Sequence, residues 1–187
     1  EPVMSAFESD ASAANQAAAI DSLRSVAQLN SSSPATQQLK AELITLLGRP
    51  VASFESDASA ENELAAIDAV KALESVDPQN SGLPALRGRL SATVIKRGEA
   101  SVVTDLDAGL ADYEQALYMG ASATDVASLK SSVVSALQSR CRTSLAARDA
   151  AKAAADYRAL AKVNSQAADG VIAMFAELPV NTLSELP

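Results

Sequence analysis

Residues Phe7-Glu8-Ser9-Asp10-Ala11-Ser12-Ala13 recur without change as Phe54-Glu55-Ser56-Asp57-Ala58-Ser59-Ala60, an offset of 47. Extended to Asp21 and Asp68, 12 of 15 aligned positions are identical, the exceptions being Ala14/Glu61, Gln16/Glu63 and Ala17/Leu64. A period of this length describes a supersecondary unit too small to bury its own apolar face, so copies must stack to make a core. The duplication therefore predicts an array of repeated units before any single element is assigned.

The units are helical. Ala66, Val70 and Leu73 correspond to Ala19, Leu23 and Val26 in the first copy, and to Gly109, Tyr113, Ala116 and Ala153, Tyr157, Leu160 in two diverged copies. Each set has the spacing i, i+4, i+7, one stripe of an α-helix. Composition agrees: 48% of residues are apolar but only 3% aromatic, with no Trp. Ala is the most frequent of these apolar residues, and it favours helix over strand.

A second set of helices alternates with the first. Ser33-Pro34 supplies an N-cap and a first-turn proline ahead of Leu39, Leu43, Leu46 and Leu47, and Gly48 is placed to end that helix. Pro84 opens the next, carrying Leu86, Leu90 and Val94, with Gly98 closing it. Thr124 caps a third, carrying Leu129, Val133 and Leu137 and running on through Cys141 to Leu145. The last, from about Gln166 to Leu178, presents Val171, Ile172, Phe175 and Leu178 before Pro179. Short polar links force antiparallel neighbours. The expected fold is all-α: about eight helices in antiparallel pairs, stacked as one α-solenoid over residues 1–187. Its repeat units fall near 10–48, 57–98, 105–147 and 149–178, with loosely held ends at 1–9 and 179–187.

The run Ala66, Val70, Leu73 followed by Val76-Asp77-Pro78-Gln79-Asn80 resembles the second helix and inter-repeat turn of a tetratricopeptide repeat. Tyr113-Glu114-Gln115-Ala116-Leu117 and Ala153 to Ala161 resemble the same stretch, and Gly88 falls where that family places a small residue for close helix contact. Offsets of 47 and then about 43 exceed the family's 34, the first-helix aromatic is missing, and the turn proline survives only as Pro78. The stretch Leu73 to Leu90 is also similar to degenerate repeats in extracytoplasmic parts of bacterial receptor-type kinases, which implies a periplasmic location. The chain begins at Glu1 without an initiator Met and is read as a processed piece of a larger protein.

Catalytic parts are scarce. There is no His, which removes the usual general base and the commonest metal ligand together. No Gly-rich phosphate-binding motif occurs, and Cys141 is the only cysteine, so neither a disulfide nor a thiolate zinc site can form within the chain. No enzyme activity, cofactor or metal is expected. Asp105, Asp107, Asp112 and Glu114 crowd together, but Asp105 is a good N-cap and Asp107 suits a first turn, so the group reads as a solvated helix start. An acid/base pair or a cation site is the alternative, although no calcium-loop motif accompanies the group. Cys141, between Arg140 and Arg142, reads as a buried small residue, with a reactive thiol as the alternative. Tyr113 and Tyr157 read as core residues.

A net charge of −8 opposes binding to nucleic acid, and no apolar run approaches the roughly 20 residues of a membrane span. Helices starting at Pro34, Pro84 and Thr124 hold Lys40, Arg87, Arg89, Lys96, Arg97, Lys130, Arg140 and Arg142 against Glu42 and Asp125, whereas the helices between them are acidic. In tetratricopeptide arrays the first helix of each pair lines the concave groove, so the resemblance implies a basic inner surface for an acidic peptide or a terminal carboxylate. Helix dipoles explain most of this segregation; Arg87, Arg89 and Lys130 are left as candidate partner-binding residues. The leading functional expectation is a protein–protein interaction scaffold, and the second an extracytoplasmic sensor module of a larger membrane protein. Val171, Ile172, Met174 and Phe175 make the last helix apolar enough for self-association.

Overall fold

A computed structural model describes residues 18–22, 25 and 32–175, with side chains as far as Ile172. The protein is all-α: no strand occurs among the described residues, and the helices pack in adjacent pairs. After a helical stretch at 18–22 come α1 (Pro34–Ser56), α2 (Ala60–Val76), α3 (Leu83–Ser101), α4 (Leu106–Tyr118), α5 (Ala127–Ala146), α6 (Ala150–Val163) and α7 (Ser165–Phe175). Two compact units meet at Thr93/Val94, inside α3. In the first, α1 packs on α2; in the second, α5 packs on α6, α4 and α7, and α6 also on α7.

The long helices begin at Pro34, Leu83 and Ala127 and the shorter ones at Ala60, Leu106 and Ala150, so the observed period is 44 to 49 residues. The expected stripes are buried: Ala66, Val70 and Leu73; Gly109, Tyr113 and Ala116; Ala153 and Leu160; and Ala19. Tyr157 departs from the pattern and is half-buried. The other first-copy positions and the expected loose ends lie outside the described residues.

Three boundaries differ from expectation. Gly48 does not end α1, which runs through Pro50 to Ser56. An interior proline costs about 3 kcal/mol, but Val51 and Phe54 beyond it are both fully buried, and each such side chain contributes roughly 1.5–3 kcal/mol. Burial outweighs the lost hydrogen bond. Likewise Gly98 does not close its helix, which continues to Ser101. At α5 the N-cap position is Val126, which makes no side-chain cap bond. The capping sits one turn earlier and bypasses Thr124: Asp125 accepts from the Ser122 N–H (2.9 Å) and hydroxyl (2.7 Å), while Ser122 Oγ accepts from the Asp125 N–H (3.2 Å). Ser33 caps α1 as expected, accepting from the Thr36 N–H at 3.1 Å.

The duplicated heptapeptide forms the α1–α2 corner. Phe54 is in the last turn of α1; the Asp57 N–H closes that turn on the Ser53 carbonyl; Ser59 caps α2 by accepting from the Asn62 N–H; and the Asn62 amide donates back to Asp57 O and Oδ2. In the second copy the heptapeptide thus covers the passage from one helix to the next.

Close helix contact is not at Gly88, where an added Cβ would meet open space. It is at Gly98, whose Cβ would lie 2.8 Å from Asp112 Cβ and 2.9 Å from Leu129 Cδ2, and at Gly109, where it would lie 2.3 Å from Val102 Cγ2 and 2.9 Å from Val102 Cα and N. Ala66 and Ala153 occupy the Gly109 position in neighbouring repeats. Gly109→Ala is nonetheless expected to destabilise by about 1–2 kcal/mol, because the overpacking penalty against the Val102 backbone exceeds the roughly 1 kcal/mol gained in helix propensity. Urea denaturation measures it; a stability gain would show that Val102 yields freely.

Candidate functional site

The buried polar side chains of the second unit centre on two arginine–aspartate pairs at matching places. On α3, Arg97 forms a fork with Asp112 of α4: Nε donates to Oδ1 and Oδ2 at 3.1 Å and Nη2 to Oδ1 at 2.6 Å. On α5, Arg140 donates from Nε to Oδ1 of Asp156 on α6 (2.8 Å) and from Nη2 to Oδ1 of Asp107 on α4 (2.8 Å), with Nη2 also in ion-pair contact with Asp156 Oδ1 at 2.7 Å. Both aspartates precede a tyrosine, in Ala111-Asp112-Tyr113 and Ala155-Asp156-Tyr157, and both stand three residues past the first stripe position. In the α1–α2 pair that position is Ala69, fully buried.

Reading Asp112 as part of a solvated helix start is therefore wrong. It is buried and paired, while Asp105 is the N-cap, accepting from the Asp107 and Ala108 N–H groups at 3.1 Å. The four neighbouring acids are not one cluster, because Asp105 and Asp112 face different ways. The recurring Ala-Asp-Tyr, with an Arg 15 or 16 residues before each Asp, is the signal that separates them. Asp156 is less completely satisfied, since its buried Oδ2 has no hydrogen-bond partner among the described residues. Hydrogen bonding to Asp107 in the first place, and then to Asp156, holds the Arg140 guanidinium above the ordinary arginine range.

Of the expected partner-binding residues, Arg87 pairs with Glu74 of α2, and Arg89 forms a fork with Glu55 of α1, Nε to Oε1 at 2.7 Å and Nη2 to Oε2 at 2.5 Å. Its bonds to Arg89 hold the Glu55 carboxyl below the usual range. Both arginines belong to the first unit. Lys130 belongs to the second, is half-buried, and has no ion-pair partner among the described residues. The charge contrast between helix sets is thus used largely for contacts between helices. With the observed boundaries α1 gains Arg49 and Glu55 and stays neutral, and the contrast weakens at α6, which was expected among the acidic helices and carries Lys152, Arg158 and Lys162 against Asp156.

Cys141 is fully buried and its thiol donates to the Ala153 carbonyl at 3.4 Å. Burial first, then the charge of Asp156, pushes the thiol above its usual range, against the opposing pull of Arg142. A raised folded-state pKa stabilises the fold below the unfolded value, so this contribution is lost as pH rises through and beyond about 8.5. Alkylation by iodoacetamide at pH 8 is expected to be at least ~100-fold slower in the native chain than in urea. Equal rates would mean an accessible thiolate.

Two helix ends share one geometry with different residues. After α4, the Gly120 N–H bonds Leu117 O and the Ala121 N–H bonds Ala116 O; after α5, the Arg148 N–H bonds Leu145 O and the Asp149 N–H bonds Ser144 O. Both are Schellman caps, which need a left-handed residue at their centre. Gly120 has φ 91° and Arg148 has φ 58°. Because a side chain in this region costs on the order of 1 kcal/mol, Arg148→Gly is expected to stabilise by about 0.5–1 kcal/mol. A thermal melt reads this directly; a lower midpoint would mean that the Arg148 side chain itself supports the turn.

The surface has some large exposed apolar groups, among them Tyr118 (76% exposed) with Leu117 at the end of α4, and Ile172 on α7, where neighbouring Val171 is buried. Met174 and Phe175, invoked for self-association, have no described side-chain placement. A depression of about 260 Å³ lies along α1, lined by Gln38, Ala41, Glu42, Thr45, Leu46 and Arg49. Among the described residues no group of three or more potential metal ligands occurs, and no helix is long and apolar enough to cross a membrane. Compared with known proteins, the chain matches no family model, no curated protein and no solved structure.

Proposed function

We propose that the chain is a non-catalytic interaction scaffold, built of tetratricopeptide-like helix pairs, that binds a protein or peptide through exposed helix faces. The observation carrying this reading is the use to which the charges between helices are put. Arg97–Asp112 and Arg140–Asp156 recur at equivalent positions and join one helix to the next, as Arg87–Glu74 and Arg89–Glu55 do in the first unit. Forked arginine–carboxylate bonds fix orientation as well as distance. A frame held this way presents its outer side chains in fixed register, which lowers the ordering cost of binding. Exposed Tyr118 is of the residue type that most often anchors interfaces, with apolar Leu117 beside it.

The test is a pull-down from the native source with the whole chain as bait at near-physiological salt. A partner recovered in stoichiometric amount, and lost when the bait is heat-denatured, supports the reading. Recovery of background proteins alone at micromolar bait overturns it.

A further inference from the structure

The α5–α6 pair has a charge balance opposite to that of the chain. Residues 127–163 contain seven basic side chains and two acids, Asp149 and Asp156, in a protein of net charge −8. Neither acid is available to an incoming partner. Asp156 is buried against Arg140, and Asp149 caps α6 by accepting from the Lys152 N–H and pairs with the Lys152 ammonium at 3.2 Å.

The basic side chains divide sharply. Arg87, Arg89, Arg97 and Arg140 are each bound to a carboxylate. Arg142, Arg148, Arg158 and Lys162, like the isolated Lys71 and Lys96, are exposed and have no ion-pair partner among the described residues. Three unpaired arginines in a chain with an excess of carboxylates leave a local positive potential that the fold itself does not consume. Arg158 and Lys162 lie one turn apart on the exposed stripe Ala151, Ala155, Arg158, Lys162 of α6, so two alanines leave the approach to both heads open. Arg148 stands in the turn just before that helix and holds a left-handed conformation that Gly120 fills in the sister turn. A residue kept at a strained position where glycine fits better points to a use for its side chain outside the turn.

Resting on the scaffold reading above, we infer that the exposed face of α6, with Arg148, Arg158 and Lys162, is the docking surface for an acidic polypeptide segment. From Arg148 to Lys162 is about 20 Å along the helix, which an extended segment of roughly six or seven residues spans. Arginine favours carboxylates through its planar fork. A short peptide feels mainly the field within about 8 Å at physiological salt. Nucleic acid or an anionic membrane extends past this patch and meets the acidic remainder of the chain, so a peptide is the better fit.

The experiment is fluorescence anisotropy on the whole chain, with a labelled peptide of about ten alternating Glu and Ser residues as the probe and its Lys/Ser counterpart as control, at low and at physiological salt. The acidic peptide is expected to bind and the control not. The triple variant R148G/R158A/K162A is expected to weaken binding at least tenfold, and raising the salt to weaken it further. Because Arg148→Gly relieves strain and the other two side chains are exposed, the variant remains folded, which its circular dichroism checks. The double variant K71A/K96A, at exposed lysines outside this face, is expected to bind like the parent. Absence of binding to the parent chain, an unaffected triple variant, or loss confined to the double variant each overturns the proposal, as does tighter binding of a DNA duplex or phosphatidylserine vesicles than of the peptide. A pull-down partner retained equally by the triple variant overturns this surface while leaving the scaffold reading intact.

Discussion

Phe54→Ala is expected to lower the unfolding free energy by about 3–5 kcal/mol, the range for truncating a buried phenylalanine. Phe54 is the largest fully buried side chain among the described residues, and its position makes the loss more than a cavity. It stands four residues after Pro50, and its burial with that of Val51 is what offsets the proline's cost and carries α1 on to Ser56. Removing the ring should therefore loosen the last turn of α1 along with the core. Two measurements separate these effects: the urea midpoint reports the total, and amide exchange at residues 51–56 reports the local fraying. A variant destabilised by less than about 1 kcal/mol would mean that the helix extension does not depend on this anchor.

Arg140→Ala is expected to cost about 3 kcal/mol, at the low end of the range for breaking a buried pair, since the guanidinium is itself 40% exposed and water can enter the space it leaves. The cost arises from what remains: Asp156, 5% exposed, would be left with neither oxygen paired. The distinctive expectation is therefore a sign. Adding Asp156→Ala to Arg140→Ala should recover part of the lost stability, whereas Asp107→Asn alone should cost less than about 1 kcal/mol because Asp107 is 76% exposed. Strictly additive losses for Arg140→Ala and Asp156→Ala would sink the account of an orphaned carboxylate.

The all-helical class and the paired arrangement were legible because they depend on periodicity alone. The i, i+4, i+7 stripes need only counting, and nearly every described member is buried. Helix ends were less legible. Gly48 and Thr124 carry local terminating and capping signals, yet at Gly48 burial of residues further along overrode the signal, and near Thr124 the reciprocal Ser122–Asp125 bonds took the capping role. The pairing of charges was visible only in outline. Opposite charge on alternate helices could be counted, but that Asp112 turns inward to Arg97 while nearby Asp105 caps a helix depends on which way each side chain faces. That Arg142, Arg148 and Arg158 have no ion-pair partner among the described residues is likewise a property of three-dimensional neighbours, as is the left-handed backbone of Arg148.

The verbatim copy of the α1–α2 corner also bears on how the chain finds its fold. Two identical heptapeptides 47 residues apart offer a growing chain two segments of equal chemistry for one docking position, and exchange of like for like is a characteristic failure of repeat proteins. The first differences after the identical stretch are Ala14/Glu61, Gln16/Glu63 and Ala17/Leu64, and in the second copy these fall in the first turns of α2, where Glu61 and Glu63 face the positive end of the helix dipole. Those few substitutions give the second segment an electrostatic preference of its own at the place where helix growth begins. They act as an address label on an otherwise duplicated part.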